Sequence, residues 1–379
     1  MTPFPREPYR PLVAYIPDLR PAPVDLSDNT NLWGPHPAAL RILQEAEGDD
    51  LARYPSGYGE PLKEAIQERF GVPLDSIATD CGSDDLLDSA FRAACDSGET
   101  VAYPVPTFSM IPILTRMNGL NPVEVRPPAP EERNGGSLLP SPELILATKP
   151  SAIYVCSPNN PTGEVATQEW LRDLLDAARS PDGPVIIVDE AYGEFHVESL
   201  LEEAPAIPRL VVTRTLSKAY GLAGLRIGFS VGDPEVIREI EKSRGPYKVG
   251  RLSERAASAA LTDRSGWLEG IVKEVVENRE RLACALRDRG IRPLPAGGNF
   301  LLVPVRGGAG GGTSSREEPP LPPAAVRVAS RLREEGVAVR PLPDLPGIGD
   351  GLRVTVGPWS HMERFLTALD SLEEEIRGD

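Results

Sequence analysis

Cysteine and histidine are scarce in this sequence, with 4 and 3 residues among 379. The cysteines are scattered without a Cys-x-x-Cys pair, and the histidines lie far apart along the chain. This spacing is unlike that of a zinc site, so no metal site is predicted. So few cysteines in a chain of this length are typical of a reducing compartment, and we expect a cytoplasmic protein.

Long apolar runs and an excess of basic residues are also missing. No segment reaches the roughly 20 apolar residues that a membrane helix needs, and the first residues lack the apolar core of a signal peptide. The 56 acidic and 40 basic residues give a net charge of −16. This charge argues against nucleic acid or an anionic membrane as a partner, but a small anionic substrate is still possible.

Short apolar runs alternate with helical patterns between about residues 36 and 240. This alternation predicts an α/β fold, in which a mostly parallel sheet has helices on both faces. We assign residues 32–260 to a large domain. A long helix over 268–289 and strands near 299–303, 337–340 and 352–356 predict a smaller α+β domain over 261–379, joined by an N-terminal arm of residues 1–31. A Gly-, Ser- and Glu-rich stretch at about 306–323 is predicted to be a flexible insertion.

Lys218 lies in the most informative segment, Thr215–Gly228. Hydroxyls flank this lysine and Arg226 follows eight residues later. An amine in this setting suits Schiff-base chemistry with a phosphate-bearing cofactor, although a single lysine on a loop is more often only solvated. Further motifs are therefore needed to support the chemical interpretation.

Three such motifs follow predicted strands. Ser157–Gly163 contains two Asn, two Pro and a Gly, which predicts a rigid loop. Asp189 closes an apolar strand, where a buried acid needs a compensating partner. Gly82–Leu87 predicts a loop opening a helix, where free N–H groups could hold a phosphate or simply form a cap.

The order and spacing of these motifs resemble those of the fold-type I pyridoxal-5'-phosphate (PLP) enzymes, the aspartate aminotransferase superfamily. Within it the chain is most similar to the histidinol-phosphate aminotransferases, from about residue 15 to the C-terminus. The resemblance implies a large PLP-binding domain, a smaller α+β domain and a homodimer. It also implies that an amino donor and a 2-oxo acid are the substrates.

The resemblance implies roles around the cofactor ring. Lys218 would form the Schiff base and then transfer a proton, and Asp189 would pair with the ring nitrogen. Asn160 and Tyr192 would bond the phenolic oxygen. Phe108 would stack on the ring, at a position where many relatives have Tyr.

Other residues are implied to contact the cofactor phosphate and the substrate. The expected phosphate-binding residues are Ser83, Asp84, Thr215, Ser217, Arg226 and, from the neighbouring subunit, Tyr54. The expected substrate-binding residues are Arg353, Arg340, Tyr15 and Asn31. Asp80 stands close to the phosphate loop where relatives often have Gly, and an acid there is unfavourable unless it points away.

The reaction that the resemblance implies is transfer of the amino group of L-histidinol phosphate to 2-oxoglutarate, in histidine biosynthesis. Two alternatives of the same fold remain: a threonine-phosphate decarboxylase and an aromatic amino acid aminotransferase. A regulatory or scaffold protein is disfavoured because the residues expected to hold the cofactor are all present.

Overall fold

The computed structural model describes residues 4–14, 16, 18, 20–133, 136–180, 182–305 and 322–372. Its strands are β1 (Val24–Leu26), β2 (Ile77–Cys81), β3 (Thr100–Pro104), β4 (Asn121–Val125), β5 (Ala152–Cys156), β6 (Val185–Asp189), β7 (Leu210–Thr215), β8 (Ile227–Gly232), β9 (Phe300–Pro304), β10 (Val337–Leu345) and β11 (Gly349–Thr355). Its α-helices are α1 (Pro37–Gln44), α2 (Gly48–Ala52), α3 (Glu60–Phe70), α4 (Gly82–Ala94), α5 (Ile111–Met117), α6 (Pro142–Leu146), α7 (Gln168–Ala177), α8 (Pro234–Ser243), α9 (Arg251–Thr262), α10 (Trp267–Asp288), α11 (Ala324–Glu334) and α12 (Trp359–Asp370).

The larger sheet has seven strands in the order β2-β8-β7-β6-β5-β3-β4. The pairs from β7 through β4 are parallel, whereas β8 is antiparallel to both β7 and β2. Alternate residues of a strand enter different cores: Ile153 and Val155 belong to one hydrophobic cluster, Tyr154 and Cys156 to the other. Both faces of the sheet are therefore covered, which confirms the predicted α/β fold with its mostly parallel sheet.

The smaller sheet has the order β1-β10-β11-β9. Strand β1, from the N-terminal segment, pairs in parallel with β10, while β10, β11 and β9 are antiparallel neighbours. Strand β10 runs on to Leu345, five residues beyond the predicted end, because it forms a ribbon with β11. The division into domains at 32–260 stays a prediction, and residues 306–321 of the predicted insertion lie outside the described residues.

Topology brings the motifs together. The neighbouring strands β5, β6 and β7 are parallel, so their carboxyl ends share one edge of the sheet. Asp189 is the last residue of β6, and the loops after β5 and β7 carry Asn160 and Lys218; such an edge is where ligands bind in open α/β sheets. In the described part of the chain, no helix has the length and apolarity required to cross a membrane.

Candidate active site

Lys218 follows β7 and its side chain is largely enclosed. Its Nζ atom lies 3.4 Å from the backbone oxygen of Asp28 and 5.8 Å from the centre of the Tyr192 ring. Burial lowers the pKa of Lys218 to about 8, and the positive charge of Arg353 acts in the same direction. Because a neutral amine is the nucleophile, this environment prepares Lys218 for attack on a carbonyl near neutral pH.

Asp189 is the last residue of β6 and is only 2% exposed. Its Oδ2 atom accepts a hydrogen bond from the Tyr154 hydroxyl at 2.7 Å, and its Oδ1 atom accepts one from the Ala191 N–H at 3.0 Å. Burial raises the pKa of Asp189 to about 6. An enclosed carboxylate of this kind fits a cationic partner such as the protonated ring nitrogen of PLP.

Tyr192 and Asn160 lie at the same edge of the sheet. The Tyr192 hydroxyl accepts a hydrogen bond from Asn29 Nδ2 at 3.0 Å, and burial raises its pKa to about 12, so it keeps its proton to donate. Asn160 Oδ1 accepts a hydrogen bond from Arg353 Nη1 at 2.8 Å. Asn160 therefore directly contacts one of the arginines that are predicted to bind the substrate.

Asn29 is a site residue that the sequence-based prediction missed. It has a positive φ of 58°, a conformation that asparagine tolerates better than most residues. Its backbone N–H donates to Thr355 Oγ1 at 3.0 Å, and the Thr355 hydroxyl donates to Asn29 Oδ1 at 3.0 Å. These bonds leave Asn29 Nδ2 directed at Tyr192, so the N-terminal segment fixes the tyrosine.

The first turn of α4 forms a candidate phosphate cup. Among the described residues, no side chain caps this turn, and its N–H groups together with the helix dipole favour an anion. Arg226 Nη2 donates to Asp84 Oδ2 at 3.2 Å. A Cβ atom at Gly82 would lie 2.6 Å from Arg226 Nη2, and the positive φ of 79° at Gly82 is strained for other residues, so glycine is favoured there.

The helix starts directly after β2, without the loop that the sequence suggested. Gly228 packs against it: a Cβ atom there would lie 2.5 Å from the Ser83 nitrogen. Gly228 pairs in register with Thr215, whose hydroxyl donates to Ser217 Oγ at 2.9 Å. The predicted N–H, hydroxyl and guanidinium groups thus converge, and this donor set fits a phosphate dianion.

The negative charge of Asp80 is directed away from this phosphate cup. It is completely buried, and its Oδ1 atom accepts a hydrogen bond from the Cys81 N–H at 2.8 Å. Its Oδ2 atom lies 3.6 Å from Nε of the equally buried Arg244, and Lys248 Nζ is 4.0 Å from Oδ1. The carboxylate faces these two cations, which answers the concern raised by the sequence.

Arg353 and Arg340 lie directly opposite each other on the antiparallel strands β11 and β10. Opposite residues share a face of the sheet, with Cβ atoms about 5 Å apart. Arg353 Nη2 also donates to the backbone oxygen of Ser27 at 2.7 Å. Arg353 bonds Asn160 and has Arg340 as its cross-strand neighbour, so this face of the sheet carries two cations and is suited to an anion.

The other predicted residues are more dispersed. Asn31 Nδ2 donates to the backbone oxygen of Ala219 at 2.8 Å, next to the lysine loop. Phe108 is half-buried against the hydrophobic core. Tyr54 is 79% exposed and its ring lies 4.9 Å from that of Tyr247, so a single chain does not bring it into the cluster. Tyr15 lies outside the described residues.

Comparison with known proteins identifies relatives along nearly the whole chain. The family described as aminotransferase class I and II matches residues 21–369. Histidinol-phosphate aminotransferase 1 of Trichormus variabilis is 32% identical over 98% of this chain and 99% of its own. An aromatic amino acid aminotransferase of Rhodococcus jostii is also 32% identical, over 98% and 97%.

A solved structure shows the same fold. The histidinol-phosphate aminotransferase of Sinorhizobium meliloti, in complex with pyridoxal-5'-phosphate, matches with a TM-score of 0.79 and 26% identity. The match covers 94% of this chain and 92% of that one. The resemblance drawn from the motifs is confirmed.

Proposed function

Because this chain belongs to the class I and II aminotransferase family, we propose that it is a PLP-dependent aminotransferase. Its proposed reaction moves the amino group of L-histidinol phosphate to 2-oxoglutarate, forming imidazole acetol phosphate and L-glutamate. The observation that carries the substrate assignment is the cross-strand pair Arg340 and Arg353, of which Arg353 bonds Asn160. Both a phosphate and a carboxylate can bind such a pair, so one site can serve both substrates.

In this proposal different residues of the chain bind the two ends of the cofactor and move the proton. Asp189 holds the cofactor's ring nitrogen protonated, and the phosphate cup of α4, Thr215, Ser217 and Arg226 anchors the other end. Bound PLP supplies an electron sink for the charge that develops at the substrate's Cα. Lys218, released from the cofactor, removes the proton from that Cα atom, for which a lowered pKa is favourable.

The proposal is tested by the absorption spectrum of the purified holoenzyme. Adding L-histidinol phosphate without a keto acid should remove the visible band of the lysine-bound cofactor and produce the near-ultraviolet band of its amino form. An unchanged band would refute the substrate. A response to L-phenylalanine alone would then favour the second candidate, aromatic amino acid transamination, which the Rhodococcus jostii relative motivates. Carbon dioxide release from L-threonine phosphate would indicate a decarboxylase.

A homodimer and a cytoplasmic location complete the proposal. The exposed ring of Tyr54 supports the first, since the tyrosine is expected to reach the phosphate of a neighbouring subunit. Mixing inactive Lys218→Ala and weakened Tyr54→Phe proteins tests it. Subunit exchange should restore activity, because one site of each hybrid has both residues. If the subunits exchange and activity does not recover, Tyr54 contributes to the site of its own chain or to no site.

A further inference from the structure

Tyr154 is the polar residue in the otherwise apolar strand β5, and it is completely buried. It pairs in register with Ile187, two residues before Asp189. Two residues of strand span about 6.6 Å, which a tyrosine side chain can bridge. Its hydroxyl accordingly reaches the next strand's carboxylate and donates to Asp189 Oδ2 at 2.7 Å.

This bond and the Ala191 N–H are the hydrogen bonds that the side-chain carboxylate of Asp189 accepts within the described residues. They hold one carboxylate oxygen each, so the plane of the carboxylate is fixed on both sides. Both donors are neutral. They favour the ionised carboxylate without cancelling its charge, whereas an arginine in the same place would compete with a cationic ligand.

We propose that Tyr154 is a positioning residue, whose hydroxyl keeps the Asp189 carboxylate ionised and oriented toward the ring nitrogen of the cofactor. The inference rests on the proposed function, since it assumes that Asp189 receives PLP. In this proposal Tyr154 acts through its bond to Asp189 rather than by contact with the cofactor or the substrate. Burial already raises the pKa of Asp189 to about 6. Loss of the Tyr154 hydroxyl would remove a hydrogen bond that favours the ionised carboxylate, so this pKa would rise further. More of the carboxyl group would then be protonated near neutral pH.

The chain offers a matched control in Tyr103 on β3. It is 1% exposed and belongs to the same hydrophobic cluster as Tyr154. Its hydroxyl, however, has no hydrogen-bond partner in the described part of the chain. Tyr103→Phe and Tyr154→Phe therefore remove the same atom from similar surroundings, and only the second removes a bond to Asp189.

The test is the dissociation constant of PLP from the full-length protein between pH 5.5 and 8.5. We expect Tyr154→Phe to weaken binding roughly ten-fold at pH 7, the effect of losing one hydrogen bond to a charged group. The loss should grow as the pH falls, because protonated Asp189 cannot pair with the ring nitrogen. Tyr103→Phe should bind PLP as the wild type does.

A double-mutant cycle with Asp189→Asn separates positioning from a general structural effect. If Tyr154 acts through the carboxylate, Tyr154→Phe should cause no further loss of affinity in the Asp189→Asn background. The inference would be overturned if Tyr154→Phe caused an equal loss of PLP affinity in both backgrounds, or if the single variant Tyr154→Phe bound PLP like the wild type at every pH. In either case the proposed function would still stand, because the wild-type protein binds PLP. A wild-type protein that binds no PLP would overturn both.

Discussion

Replacing Asp189 by Asn should stabilise the apoprotein and weaken its hold on the cofactor. The carboxylate is 2% exposed, and burial raises its pKa from 3.8 to about 6. In the unfolded chain it ionises freely, so above pH 6 the folded state carries the full cost of a buried charge. That cost is absent below pH 3.8 and grows as the pH rises through this window.

The rise in the pKa of Asp189 determines how much the Asp189→Asn substitution should change the free energy of unfolding. A rise in the pKa of Asp189 from 3.8 to about 6 corresponds to about 3 kcal/mol at pH 7.5. At pH 4.5 the wild type is mostly protonated when folded, and the difference should shrink to about 1 kcal/mol. Asparagine keeps the local bonds: its oxygen can accept from the Ala191 N–H, and the Tyr154 hydroxyl can rotate to accept from its amide.

Urea unfolding of the apoprotein at the two pH values measures this difference. Asp288→Asn is the control, because Asp288 is an exposed carboxylate at the end of α10; it should change the free energy of unfolding by less than about 0.5 kcal/mol. The same Asp189→Asn protein should bind PLP much more weakly. The reasoning fails if the variant is less stable than the wild type at pH 7.5, or if the stability gain is equal at both pH values.

Three other perturbations test the site. The rate at which apoprotein attaches PLP should rise with pH and reach half its maximum near pH 8, because the pKa of Lys218 is lowered to about 8 by burial and only its neutral amine attacks. Stopped-flow absorbance giving a midpoint near 10.5 would contradict this. Arg353→Lys should raise KM for both substrates roughly 10- to 100-fold and leave the absorption spectrum of the bound cofactor unchanged. If steady-state kinetics showed only a lower kcat, Arg353 would not be a substrate-binding residue. Asp80→Asn should lower the free energy of unfolding, because it leaves the buried Arg244 without its carboxylate, and the relief of the burial that raises the pKa of Asp80 offsets part of this loss; an unchanged urea midpoint would show that the pair contributes little.

Local pattern was sufficient for much of the fold and for the proposed chemistry. The apolar runs of β5, β6 and β7 indicated a buried parallel sheet, since a strand covered on both faces needs no polar side. The residues that follow these strands share an edge whenever the strands are parallel, so the sequence alone was enough to group Asn160, Asp189 and Lys218. Strand β8 was different: a short run with two glycines does not reveal that it is antiparallel to its neighbours.

Only the tertiary structure decided how the site residues are held. Tyr154 and Asp189 are 35 residues apart in sequence, and Asn29 and Tyr192 are 163 apart. Asp80 likewise meets Arg244 from a different element. Strand periodicity says that a side chain is buried, but not which atom it faces, because register and side-chain reach come from the assembled sheets. The sequence by itself therefore predicted most of the groups of the proposed site, although not Asn29, and packing determined their partners, their pKa values and the opposition of Arg340 and Arg353.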